Sequence, residues 1–99
     1  MIFVIATVQV HADKRDRYIE GARACVAATR AENGCISYDL TASTSDPNTF
    51  VFVERWTSRE ALRAHFEADH LKTWRKIAAE CIARPTVVEI IFPDKIETL

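Results

Sequence analysis

Residues 50–74 read FVFVERWTSREALRAHFEADHLKTW, from Phe50 to Trp74. Phe50, Phe52, Glu54 and Trp56 alternate with Val51, Val53 and Arg55, the period-two pattern of a β-strand. After Thr57 the apolar positions follow helical spacing. Leu62, His65 and Phe66 share one face of a short helix, and Leu71, Trp74, Ile77, Ala78 and Cys81 form the stripe of a further one. Between strand and helix, Thr57-Ser58-Arg59-Glu60 fits a capping box in which Thr57 and Glu60 satisfy each other's free backbone N–H groups. The stretch therefore reads strand, helix, helix. It also concentrates two imidazoles, two indoles and the strand carboxylate Glu54 in one quarter of the chain.

Upstream, Ile2 to Val10 reads as a strand with Ile2, Val4, Ala6, Val8 and Val10 on one face and Phe3, Ile5, Thr7 and Gln9 on the other. Both faces begin apolar, which predicts a central strand. Asp13 is placed to cap a first helix whose stripe is Tyr18, Ile19, Ala22, Cys25, Val26 and Thr29, and Gly34 suits its left-handed C-terminal cap. Cys35 to Thr41 is a second strand with Ile36, Tyr38 and Leu40 on one face; Asp46-Pro47-Asn48 is a turn leading into the third. Downstream, Arg84-Pro85 ends the last helix, and Thr86 to Phe92 is a final strand closed by Pro93. The order β-α-β-β-α-α-β, an α+β pattern, predicts a ferredoxin-like fold with a four-stranded antiparallel sheet, in one domain spanning residues 1–99. Val51, Val53, Val87 and Ile91 alternate with Phe50, Phe52, Val88, Ile90 and Phe92, so both sheet faces are apolar. Helices bury only one, and a second copy packed sheet to sheet would bury the other, which predicts a homodimer.

The chain carries 13 basic and 14 acidic residues, with 48% hydrophobic and 27% charged positions. Near-neutral charge, with Lys14, Arg15 and Arg17 set among Asp13 and Asp16, gives no basic stripe for nucleic acid. No apolar run reaches membrane-spanning length. The apolar start MIFVIATVQV has no basic region or cleavage site and reads as a strand, not a signal peptide. Cys25, Cys35 and Cys81 are odd in number and widely spaced, which argues against a disulfide framework or a zinc site and for reduced, buried thiols in a cytoplasmic protein.

Several motifs together resemble a known family. Glu32-Asn33-Gly34-Cys35 leading to Tyr38, then Phe52-x-Glu54-x-Trp56 and Ala64-His65-x4-His70, look like the antibiotic biosynthesis monooxygenase domain, over roughly Ile2 to Phe92. The resemblance implies a ferredoxin-like dimer, a dimeric α/β barrel, with a pocket between sheet and helices in each protomer. The family includes cofactor-free quinol and anthrone monooxygenases, haem-degrading enzymes and an isomerase of autoinducer-2 breakdown. Haem-degrading members carry an Asn on the first strand, a Trp on the short helix and a ligating His on the next helix. The matching places here hold Ala6 or Thr7, His65 and Trp74, a departure that points away from haem.

His65 is the first candidate base, since a neutral imidazole suits proton removal near pH 7 and its helical phase turns it inward. The alternative is a core histidine bonded to Glu54 or to a backbone carbonyl. Glu54, among aromatics, must be paired or raised in pKa, and is expected either to orient His65 or to form an ion pair. His70 either lines the pocket mouth or organises the break between helices. The His65-x4-His70 spacing is not that of a helical metal pair, and no third ligand is evident nearby, so no metal is expected. Tyr38, Trp56 and Trp74 are either core or an aromatic wall for a flat ligand. No nucleotide fingerprint is present, and no cofactor is expected.

Three readings follow. One is oxidation of a small quinol or anthrone-like aromatic by O2, with His65 as base. A second is isomerisation of a small phosphorylated or hydroxylated dicarbonyl, with Lys72, Arg75 or Arg84 meeting the phosphate. The third is a non-catalytic binding or stress-response module, in which His65→Ala would leave ligand affinity intact.

Overall fold

Strand β1 (Ile2–Gln9) lies inside the sheet, as its two apolar faces require. The computed structural model describes Met1–Leu99, with β1 followed by α1 (Arg15–Arg30), β2 (Cys35–Ala42), β3 (Thr49–Trp56), α2 (Arg59–Glu67), α3 (Asp69–Ala79) and β4 (Val87–Ile91). The strands form one antiparallel sheet in the order β2-β3-β1-β4, the ferredoxin-like arrangement. Val4 lies opposite Glu54 and Ile90, and Ala6 opposite Phe52 and Val88. These rows, with Phe50, Trp56 and Tyr38, face the helices and are buried except at the β4 edge, where Ile90 is half-buried and Val88 exposed. The opposite face carries Phe3, Ile5, Val51 and Val53, which are half-buried, with Val87 and Ile91 exposed at 57% and 42%. No helix is long and apolar enough to cross a membrane.

The buried positions of α1 are Tyr18, Ala22, Cys25 and Thr29, at helical spacing, whereas Ile19 and Val26 flank the core half-buried. Asp13 does not cap α1: residues Ala12–Lys14 form a 3-10 turn, and Lys14 at the N-cap makes no side-chain bond. The α2 cap lies one residue later than expected, with Ser58 Oγ accepting the Ala61 N–H at 3.1 Å in place of the Thr57–Glu60 exchange. Thr57 is instead held by the strand end, donating its N–H to Gly34 O at 2.9 Å. A bulge between Cys35 and Ser37 turns Ile36 out of the Tyr38 face, and it is half exposed.

Gly34 does not cap α1 directly. The helix ends at Arg30, and Gly34, at φ +89°, shapes the turn into β2. A Cβ there would lie 2.6 Å from the Ala61 Cβ. The glycine thus supplies both a left-handed backbone and the close approach of this turn to α2.

Candidate active site

The α1–β2 turn, the α2–α3 break and the inner row of the sheet meet at His65. Its helical phase with Leu62 carries it inward, where it is 1% exposed. Its ring packs 4.7 Å from Trp56, 5.4 Å from Tyr38 and 5.8 Å from Phe66, centroid to centroid. At Ala68 the backbone becomes extended, ending α2 and starting α3, so that His70 falls in the first turn of α3 and faces back toward the same turn. Both imidazoles converge on Glu32. His65 Nδ1 lies 2.6 Å and His70 Nε2 lies 2.8 Å from one oxygen, Glu32 Oε2. A carboxylate oxygen only accepts, so each ring donates an N–H to it. This leaves Nε2 of His65 as the ring's acceptor.

A cavity of about 240 Å³ lies between the sheet and the helices. Val4, Ala6 and Phe52 form part of its apolar lining; Tyr38, Glu54, His65, Trp74 and Arg75 bring its polar and aromatic groups. Burial lowers the His65 pKa below 6.5, opposed by the Glu32 carboxylate, so the ring is neutral at pH 7. Burial pushes Glu54 up to about 7, with the Trp56 N–H working against it and the Glu32 charge adding to it. Burial also raises the Tyr38 phenol, which stays protonated.

Several expected contacts differ. The partner of His65 is Glu32, not Glu54; Glu54 instead accepts the Trp56 Nε1–H at 3.0 Å. Glu54 and Trp56 are two apart on one strand face, where the indole reaches the carboxylate more directly than the ring on α2 does. Trp56 itself is completely buried beneath His65 and lines no cavity. His70 also lies outside this cavity, bordering a separate depression with Cys25 and Trp74. Of Lys72, Arg75 and Arg84, only Arg75 lines the cavity beside His65.

The expectation of no third ligand beside the histidines fails for the same reason. Glu32 brings a donor atom, so that one atom each from Glu32, His65 and His70 lies within 4.8 Å of the others. Glu32 was legible only as part of the approach to Gly34. The signal that could have found it is an acidic side chain just ahead of a left-handed glycine, facing two histidines that need an acceptor.

Comparison with known proteins agrees with this architecture. Residues 1–77 match the model of the family described as antibiotic biosynthesis monooxygenase. The chain is 36% identical to Rv0793 of Mycobacterium tuberculosis over 93% of its length and 90% of that protein. It is 32% identical to YcnE of Bacillus subtilis over 86% of its length and 90% of that protein. Both relatives are named as candidate monooxygenases. The solved structure of Rv0793 superposes with a TM-score of 0.91 at 33% identity, covering 98% of each chain. A Nitrosomonas europaea structure, described as a candidate antibiotic biosynthesis monooxygenase, also gives 0.91 at 29% identity, covering 96% of this chain and 100% of that one. The chain belongs to the antibiotic biosynthesis monooxygenase family.

Proposed function

We propose that the chain is a cofactor-independent monooxygenase that oxidises a small quinol or anthrone-like aromatic with O2, using His65 as the base. The observation that carries this reading is the state of His65. Its Nδ1–H is held by Glu32 at 2.6 Å while the ring borders an apolar cavity with Nε2 free to accept. Such substrates carry their own reducing power once deprotonated. His65 takes a proton from the substrate, and the resulting anion passes an electron to O2. Recombination forms a peroxide at carbon. Loss of a second C–H proton with O–O cleavage yields a carbonyl and water, so an anthrone-type CH2 plus O2 becomes C=O plus H2O. Glu54, with its pKa near 7, is suited to protonate the departing hydroxide. Tyr38, Phe52 and Trp74 offer apolar faces to a flat ring. Trp56 and His70 support His65 from outside the cavity.

The exposed apolar face at Val87 and Ile91 supports the further proposal of a sheet-to-sheet homodimer. A well-folded monomer in sedimentation at micromolar concentration would refute it.

The enzymatic test is oxygen uptake with a panel of quinols and anthrones. The expected result is uptake with one oxygen atom entering the product, reduced about 10²-fold or more in His65→Ala. No uptake with any of them, alongside turnover of a dicarbonyl, favours the second reading. That reading, isomerisation of a small phosphorylated or hydroxylated dicarbonyl, draws on Arg75, the cation among the residues lining the cavity.

A further inference from the structure

We propose that Glu32, His65 and His70 form a binding site for a divalent cation of zinc type, and that occupation of this site switches His65 off as a base. The site stands on geometry alone; the switch rests on the reading of His65 as base.

Two imidazoles and one carboxylate are a donor set that suits zinc and its neighbours among the transition metals. Here they come from three segments that are each held independently. Glu32 sits in a turn whose backbone bonds run to Thr29 and Cys35, His65 lies in the last turn of α2 with its carbonyl accepting the Ala68 N–H, and His70 lies in the first turn of α3. All three donor atoms fall within 4.8 Å of one another. The carboxylate oxygen is now 2.6 and 2.8 Å from the two nitrogens. A tetrahedral ion with bonds near 2.0–2.1 Å needs neighbouring ligands ~3.3 Å apart. Glu32 must therefore retreat by roughly 0.5–0.7 Å to admit the ion, and the two imidazole nitrogens, now within 4.8 Å of each other, must settle at the same ~3.3 Å spacing. The Glu32 and His70 side chains are 15% and 27% exposed, so the cluster reaches solvent on that side.

The consequence for chemistry lies in which nitrogen binds. His65 presents Nδ1 to this cluster. With a cation on Nδ1, the proton of the neutral ring moves through solvent to Nε2, with no net release. Nε2 then carries N–H and can no longer accept a proton. The cation thus occupies the side of the ring that Glu32 now holds and blocks the opposite one.

The test uses metal-stripped, full-length protein titrated with zinc against a chromophoric chelator. The expected result is one ion per chain at micromolar affinity or tighter. Glu32→Gln and His70→Gln, each confirmed folded by circular dichroism and thermal melting, should weaken binding about tenfold or more. Cobalt in place of zinc should give a tetrahedral visible spectrum without thiolate charge-transfer bands. No saturable binding up to millimolar zinc, unchanged affinity in both variants, or thiolate bands that place the ion on a cysteine would each overturn the site. With a turnover substrate, activity should fall in step with zinc occupancy and return with a chelator. Full activity at full occupancy overturns the switch. Because zinc binding is read without turnover, failure of the site and failure of the monooxygenase reading are told apart.

Discussion

Glu54→Gln should make the protein more stable than the wild type above about pH 7, by an amount that builds up between pH 4.5 and about 7 and is constant beyond. Glu54 is 5% exposed among aromatic neighbours, and its carboxyl is carried from 4.5 up to about 7, chiefly by burial. The folded chain therefore holds this proton more tightly than the unfolded chain does. Stability is whole below pH 4.5, declines as pH rises through the interval up to about 7, and levels off above it. At about 1.4 kcal/mol per pH unit, the whole interval corresponds to ~3 kcal/mol. Glutamine is neutral throughout, nearly isosteric, and its amide oxygen can still accept the Trp56 N–H that Glu54 accepts at 3.0 Å. Denaturant unfolding at constant protein concentration should give near-equal stabilities at about pH 4. The variant should lead by ~3 kcal/mol at about pH 8.5. Fixed concentration matters because association would add to apparent stability. A stability difference that stays flat between those pH values, or that favours the wild type at the alkaline end, would refute burial as the cause of the raised pKa.

Other outcomes follow from the same contacts. The acid limb of the pH–rate profile should lie below 6.5, since burial lowers the His65 pKa; an inflection above 6.5, or unchanged activity in His65→Ala, removes His65 as base. Glu32→Gln should move that limb further to acid, because Glu32 raises the His65 pKa, and should lower kcat more than it raises KM by freeing the tautomer; an unmoved limb refutes the coupling. Gly34→Ala should cost about 2 kcal/mol or more in denaturant unfolding, because φ is +89° and the new methyl would meet the Ala61 Cβ at 2.6 Å; a loss below about 0.5 kcal/mol would show that the turn relaxes freely. Trp56→Phe should raise the Glu54 pKa above its present value, read by NMR titration, because it deletes the N–H that stabilises the carboxylate.

The order of elements, the inner position of β1 and the inward aim of His65 were all legible in residues 2–92, because each depends on a local period. Alternation assigns a strand residue to a face, and helical phase places His65 with Leu62, whatever the rest of the chain does. Local signals were weaker at the joints. The capping box pointed to Thr57, but Ser58 is the cap, since Thr57 is drawn into the bond with Gly34 across the sheet end. A bulge reversed the expected side of Ile36. What the tertiary structure alone decided is which carboxylate serves which group. Glu54 stood eleven residues from His65 and was the natural candidate, yet Glu32, 33 and 38 positions away from the two histidines, is the one they share. The reason is physical: periodicity specifies the direction in which a side chain points. Its partner depends on the meeting of the α1–β2 turn with the α2–α3 break, which the left-handed Gly34 and its close approach to Ala61 bring about.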